Sequence, residues 1–356
     1  MREASLKFLE ELLAAPSPSG YEQPAQRVFR SYLAPFCSVT SDVMGNVFGC
    51  IEGAGENRPR VMLVGHSDEI GLQVRYVDDD GFLYFAAIGG VDPHITAGLR
   101  VHVHAAKGRL NGVIGKRPIH LMEGKDRDSV VKLEAQYIDI GATDKKEALE
   151  MVRVGDPITF AVTMERLAND RITCRGLDDK AGSFVVAEVL RRVSELPDKL
   201  AIDLYGVSSV QEEVGLRGGT TSSYTVKPDV GICVEVDFAT DQPDVEKKHN
   251  GEVGLGKGAI LPRGANINPV LFDLLSETAE KEQIPVQYTG IARATGTDAN
   301  VMQISRGGVA TALVKLPLRY MHTPVETLSL ADLDSAVELL VAALKRITDK
   351  DVFVPR

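Results

Sequence analysis

Four near-continuous apolar runs, RVMLVG, AIDLYGVSSV, DVGICV and VATALVKLPL, each lead into histidines or carboxylates. Runs of this kind have little to offer water on either face, so they read as strands buried on both sides. Helical stretches stand between and around them: LDDKAGSFVVAEVLRRVSEL, NPVLFDLLSETAEKE and the closing SLADLDSAVELLVAALKRI. Strands alternating with helices imply an α/β fold, a mostly parallel central sheet covered by helices. In the closing helix Ser329 is the expected N-cap and Asp332 stands at the capping-box position. Leu333, Val337, Leu340 and Leu344 would share its buried face.

Residues 72–166 break this pattern. RVHVHAAKGRLNGVIG, LEAQYIDIGA and DPITFAVT are short strands punctuated by glycine, with one clear helix, DKKEALEMV. The expectation is a small β-rich domain inserted after Gly71 into an α/β domain formed by residues 1–71 and 167–356. A chain of 356 residues is long for one core, which agrees with two domains. The N-terminal MREASLKFLEELLAAPSPSG has helical spacing of Leu6, Leu9, Leu12 and Leu13, stopped by Pro16, Pro18 and Gly20, and lacks the apolar centre of a signal peptide. No run approaches the ~20 residues that span a bilayer. The net charge of −10 disfavours nucleic acid and anionic membrane partners and tolerates cations. Cys37, Cys50, Cys174 and Cys233 form no CxxC pair and read as reduced thiols of a cytoplasmic protein.

The chemistry collects at the strand ends. RVMLVG reaches His66 and Asp68, and AIDLYGVSSV reaches Gln211, Glu212 and Glu213. DVGICV reaches Glu235 and Asp237, VATALVKLPLRYM reaches His322, and Asp178–Asp179 open a helix. Ligand sites in open α/β sheets form outside the carboxyl ends of the strands, so these residues aim at one crevice. A lone histidine at a strand end is more often structural, and an acid pair at a helix start is usually a cap. Adjacent Glu212 and Glu213 repel one another unless a cation or proton intervenes, and a buried uncompensated Glu235 would cost several kcal/mol. Two imidazoles with three or more carboxylates suit a borderline divalent metal such as Zn²⁺ or Co²⁺. The set is too large for one open zinc and fits two ions sharing a bridging carboxylate, with one glutamate of the adjacent pair left as general base.

The segments GHSDEIG, GRLNGVIGKRPIHL, IDIGA, VGDPITF, GLDDKAG, VQEEVGLRGG, GTDAN and LRYMHTPVET occur in order along nearly the whole chain. In them the chain resembles the tetrahedral aminopeptidase (TET) or glutamyl aminopeptidase family, dinuclear metallopeptidases of clan MH. The resemblance implies His66, Asp178, Glu213, Glu235 and His322 as metal ligands, with Asp178 bridging and often joined to Asp179 by a cis peptide. It implies Asp68 as the partner that orients His66, and Glu212 as general base. Glu235 stands where the family usually has Asp, and Asp237, on the same strand face, is the fallback ligand. For the middle domain the resemblance implies a β-barrel or PDZ-like module that drives dimerisation, with dimers closing into a dodecamer.

The expectation is therefore a cytoplasmic aminopeptidase that trims short peptides, using two divalent ions per subunit, with Thr297 and Asp298 lining the substrate pocket. A deacylase or carboxypeptidase on the same core is the nearest rival, with Arg293 as the cation for a substrate carboxylate. A metal-free glycosidase would have no use for His66 and His322. A non-catalytic assembly protein would have no use for Glu212.

Overall fold

The apolar run before His66 forms the Arg60–His66 strand, in which every residue from Val61 onward is buried. The computed structural model describes residues 1–349 and 351–355 and places this strand near the middle of an eight-stranded sheet. Across the sheet the order is Ser38–Ser41, Val47–Ile51, Asp203–Ser209, Arg60–His66, Val230–Phe238, Ala310–Leu318, Ala259–Gly264 and Val286–Ile291. Arg60–His66 pairs in parallel with Asp203–Ser209 on one side and Val230–Phe238 on the other. Val230–Phe238 continues the parallel set with Ala310–Leu318.

The Leu177–Ser194 helix lies directly on this sheet and is buried along almost its whole length. Two glycines permit the approach. A Cβ on Gly65 would stand 2.5 Å from the backbone of Gly182, and one on Gly182 would enter the Asp179 carboxylate. Such separations leave no room for even a methyl group, so the strand and helix meet backbone to backbone. Their meeting sets Asp178 beside His66.

Six strands close a second body with its own apolar core: Gly71–Val77, Leu83–Ile88, Tyr137–Asp139, Gly108–Gly115, Arg100–Ala105 and Pro157–Phe160 form an antiparallel barrel. In RVHVHA the alternation is literal, with Val101 and Val103 inside the barrel and His102 and His104 outside. His104 Nε2 pairs at 2.8 Å with Thr159 Oγ1. A three-stranded sheet, Glu165–Leu167, Arg171–Cys174 and Glu326–Ser329, completes the strands.

The closing helix runs over Leu330–Leu344, with Leu333, Val337, Leu340 and Leu344 buried. Its start corrects the capping-box expectation. Ser329 makes no side-chain cap, and Asp332 instead accepts hydrogen bonds from Gly256 N and Gly258 N, both at 2.7 Å. Two amides of a distant loop outcompete one local amide for the same carboxylate.

Candidate metal centre

Val230–Phe238 pairs with Arg60–His66 only as far as Cys233 opposite Val64, yet stays paired with Ala310–Leu318 through Phe238. The two inner strands therefore part just before His66 and Glu235. A cavity of about 360 Å³ opens there, lined by His66, Asp178, Glu212, Glu213, Glu235, Thr297 and His322 among others. In open α/β folds ligands bind in such a crevice outside the carboxyl ends of the strands.

His66 is buried, and its Nδ1 lies 3.0 Å from the carbonyl oxygen of Asp68. A carbonyl only accepts, so Nδ1 carries the hydrogen and a neutral ring presents a bare Nε2. That Nε2 faces Asp178 Oδ1 at 3.2 Å, Glu235 Oε1 at 3.7 Å and Glu212 Oε2 at 3.9 Å. His322 repeats the arrangement, its Nδ1 set 3.1 Å from the carbonyl of Gly90. Its Nε2 lies 3.3 Å from both Asp178 Oδ2 and Glu213 Oε1. Asp178 thus stands between the imidazoles, one carboxylate oxygen toward each. The Asp178–Asp179 peptide is cis.

The supporting contacts are equally specific. Asp68 accepts from the backbone amides of both Glu212 (3.0 Å) and Glu213 (3.1 Å), and Ser19 Oγ donates to it at 2.7 Å. Glu22 accepts from Gln211 N, so the loop from Ser19 to Glu22 buckles onto the QEEV turn. Gln211 (φ 56°) and His322 (φ 62°) hold left-handed conformations, costly for residues other than glycine. Asp179 accepts from His66 N at 3.2 Å and Gly182 N at 2.9 Å.

The charges do not balance. Burial, with Glu235, Asp298 and Glu213 nearby, pushes Glu212 up to about 10 against the pull of His66. Burial likewise pushes Glu235 up to about 8. Hydrogen bonds to Asp178 and Glu213 raise His322 to about 11. Carboxylates reluctant to ionise beside imidazoles eager to protonate describe a pocket short of positive charge. Glu212 Oε1 is buried with no hydrogen-bond partner among the described residues. Two sets of three donors, His66–Asp178–Glu213 and His66–Asp179–Glu235, have ligand atoms within 4.8 Å of one another among the described residues. Asp179 already serves two amides, so Asp178 is the better ligand of the pair. Bare imidazole nitrogens turned toward carboxylate oxygens fit divalent cations.

Not every expected residue lies where the sequence suggests. Asp237 lines the cavity, but its carboxylate is held by Lys315 Nζ at 2.9 Å, leaving Glu235 beside His66. Thr297 lines the cavity, whereas Asp298 is buried beneath the wall, where its Oδ2 accepts from Ser209 Oγ at 2.6 Å. Asp298 is thus a support rather than a lining residue. Glu326, absent from the expected set, accepts from both His322 N (2.9 Å) and Asp178 N (3.1 Å). Its position four residues after His322 in HTPVE was the available signal. Gly90 gave no signal, because a backbone carbonyl has no sequence signature.

The profile of the M42 glutamyl aminopeptidase family matches residues 45–339. A lysyl aminopeptidase of Pyrococcus furiosus is 38% identical, over 98% of this chain and 99% of its own. A TET aminopeptidase of a marine-sediment Thaumarchaeota archaeon superposes with a TM-score of 0.92 at 33% identity, covering 97% of each chain. The TET1 peptidase of Pyrococcus horikoshii, which can assemble into a tetrahedron or a large octahedral shell, gives 0.85 at 30% identity over 96% of this chain and 100% of its own. The chain belongs to the M42 glutamyl aminopeptidase family and is an aminopeptidase, a hydrolase of peptide bonds.

Proposed function

We propose that the protein is a dinuclear metal-dependent aminopeptidase that removes the first residue of short peptides. The observation that carries this reading is the pair of imidazoles, each fixed through Nδ1 by a carbonyl, with Asp178 between their Nε2 atoms. His66 and Glu235 would hold one ion, His322 and Glu213 the other, and Asp178 both. Two divalent ions, Zn²⁺ or Co²⁺ by donor chemistry, would supply Lewis acidity toward the scissile carbonyl and a water reactive at neutral pH.

The chain's own residues supply the rest. Glu212 Oε1, buried and without a hydrogen-bond partner among the described residues, is the place to receive the proton of the attacking water. Glu212 then returns that proton to the departing amine nitrogen, so the base ends each turnover as it began. Asp68 keeps Glu212 and Glu213 in register with His66 by holding both of their amides.

We assign self-association, toward a dimer and a dodecamer, to the inserted unit 72–166. Val113, Ile119, Leu121 and Val130 are exposed apolar residues of that unit, which supports the assignment. All four cysteines are free thiols, which suits the cytoplasm.

The test is a panel of aminoacyl p-nitroanilides and N-blocked peptides, assayed on metal-stripped protein reloaded with Zn²⁺, Co²⁺ or Mn²⁺. Metal-restored hydrolysis of free-amino substrates alone, with two ions bound per chain, is expected. Full activity after exhaustive chelation would overturn the reading.

A further inference from the structure

Away from the metal centre, the Gln23–Leu33 helix borders a cavity of about 200 Å³. Glu22 at its N-cap, Gln26 and Arg30 follow one another at a spacing of four residues, so they stand in a row along one helix face. All three line the cavity, together with Arg27, and Val47 and Val210 belong to its wall. None of these residues lines the cavity over the metal centre.

Both ends of the row are left unfinished. At the helix start Glu22 and Gln26 are 3% and 6% exposed. The hydrogen bonds to the Glu22 carboxylate, from Gly20 N and Gln211 N, both fall on Oε1, and Oε2 receives none among the described residues. Gln26 Nε2 donates to the Ser208 carbonyl at 2.9 Å, while Gln26 Oε1 is buried with no partner among the described residues. Buried acceptors are ordinarily paired, so two spare ones side by side ask for a donor. Burial pushes Glu22 up to about 7, and no Lys or Arg pairs with it among the described residues. One turn further along, Arg30 donates to Ser41 Oγ, and neither Arg27 nor Arg30 has an ion-pair partner among the described residues.

Groups of opposite sign therefore line one cavity without meeting. A simple cation would answer the acceptors and leave the guanidiniums unserved, and an anion would do the reverse. A zwitterion answers both: an ammonium brings three donors, and a carboxylate accepts the planar fork of a guanidinium. Gln26 and Arg30 are roughly 6 Å apart along the helix axis, a gap that the compact head of an α-amino acid bridges with a hydrogen bond at each end. Glu22 also holds Gln211 N, the amide just before Glu212. A cation on Oε2 keeps this carboxylate ionised, and an ionised acceptor grips an amide more firmly.

We propose that this cavity binds a free α-amino acid, its ammonium on Glu22 and Gln26 and its carboxylate on Arg27 and Arg30, and that occupancy tightens the hold of Glu22 on the QEEV turn. Free amino acids are what an aminopeptidase releases, so the cavity makes accumulated product felt beside Glu212.

Zn²⁺-loaded protein is tested by equilibrium dialysis with L-alanine, propionate and ethylamine, the last two each lacking one of the charges. L-Alanine should bind roughly tenfold or more tighter than either, the scale of one charge-assisted contact. Arg27→Gln combined with Arg30→Gln should weaken L-alanine binding by about tenfold or more. Arg27→Gln alone, at an exposed position, should weaken it while leaving the melting temperature of the unliganded protein unchanged. Backbone hydrogen exchange over residues 210–213 should slow with L-alanine in the parent and not in the double variant. L-Alanine can also sit as product at the metal centre, and binding that both variants leave intact is of that kind and overturns the site. Propionate or ethylamine binding as tightly as L-alanine reduces the cavity to a simple ion site and overturns the zwitterion. Binding that the variants weaken, with exchange over 210–213 unmoved, overturns the link to the QEEV turn.

Discussion

Glu69 and Glu212 are both buried glutamates, each adjacent in sequence to a metal-site residue, yet their surroundings are opposite. Glu69 is fully served: Arg175 spans its carboxylate, Lys180 Nζ lies 3.0 Å away and Ser17 N donates at 2.9 Å. Burial would push its pKa up, but Arg175 and Lys180 bring it down to about 2. Glu212 pairs with no Lys or Arg among the described residues, and burial drives it to about 10. The first cluster is complete in the polypeptide and joins the N-terminal loop, the Arg60–His66 strand and the Leu177–Ser194 helix. The second is complete only with something added. Buried carboxylates therefore mark a site by what they lack rather than by being buried.

The comparison can be broken most directly at Glu212. Glu212→Gln removes the proton acceptor and should lower kcat about 10²–10⁴-fold. The same change relieves repulsion, so the melting temperature of the metal-free variant should equal or exceed the parent's. A melting temperature that drops sharply would return Glu212 to the structural class. Glu69→Gln should act the other way, costing about 3–5 kcal/mol of stability by stranding Arg175 and Lys180 as buried charges. Denaturant unfolding measures it, and a loss under 1 kcal/mol would refute the strut.

A smaller effect is expected at Gly90, where an added Cβ would stand 2.9 Å from His322 Nδ1. Gly90→Ala should cost roughly 10-fold or more in affinity for the second ion, the range for partners that orient a ligand. Isothermal titration with Zn²⁺ checks it, and two unaltered binding steps would exclude it.

The pH dependence of stability should differ in sign between the clusters. Glu69 sits at about 2, below its ordinary 4.5, so its contribution is present above 4.5 and lost as pH falls toward 2. Glu235 sits at about 8, above 4.5, so its contribution in metal-free protein is present below 4.5 and lost as pH rises through 8. Chelated protein should therefore lose melting temperature between pH 5 and about 9, and added Zn²⁺ should restore it. Parallel profiles with and without metal would count against a cation in the cavity.

What the sequence discloses follows the range of the interaction. The apolar run into His66 announces a buried strand with a polar exit, because both properties lie within a few residues. The mostly parallel sheet is equally legible from the alternation of such runs with helices. Glu69 is different: its cations stand 106 and 111 positions along the chain, and no local pattern reveals them. Asp332 misleads for the same reason, since its partners Gly256 and Gly258 lie on a distant loop. The GTDAN segment suggests both Thr297 and Asp298 as pocket residues, but Thr297 lines the cavity while Asp298 turns to Ser209, 89 positions away in the chain.

The Gly90 carbonyl comes from the barrel's Leu83–Ile88 to Arg100–Ala105 connection, and it fixes the tautomer and rotation of His322. A chain cut back to the sheet and its helices would keep every acid and both imidazoles, yet His322 would be free to spin. The barrel is for that reason no detachable adaptor. Any force transmitted to it arrives one hydrogen bond away from a metal-facing imidazole.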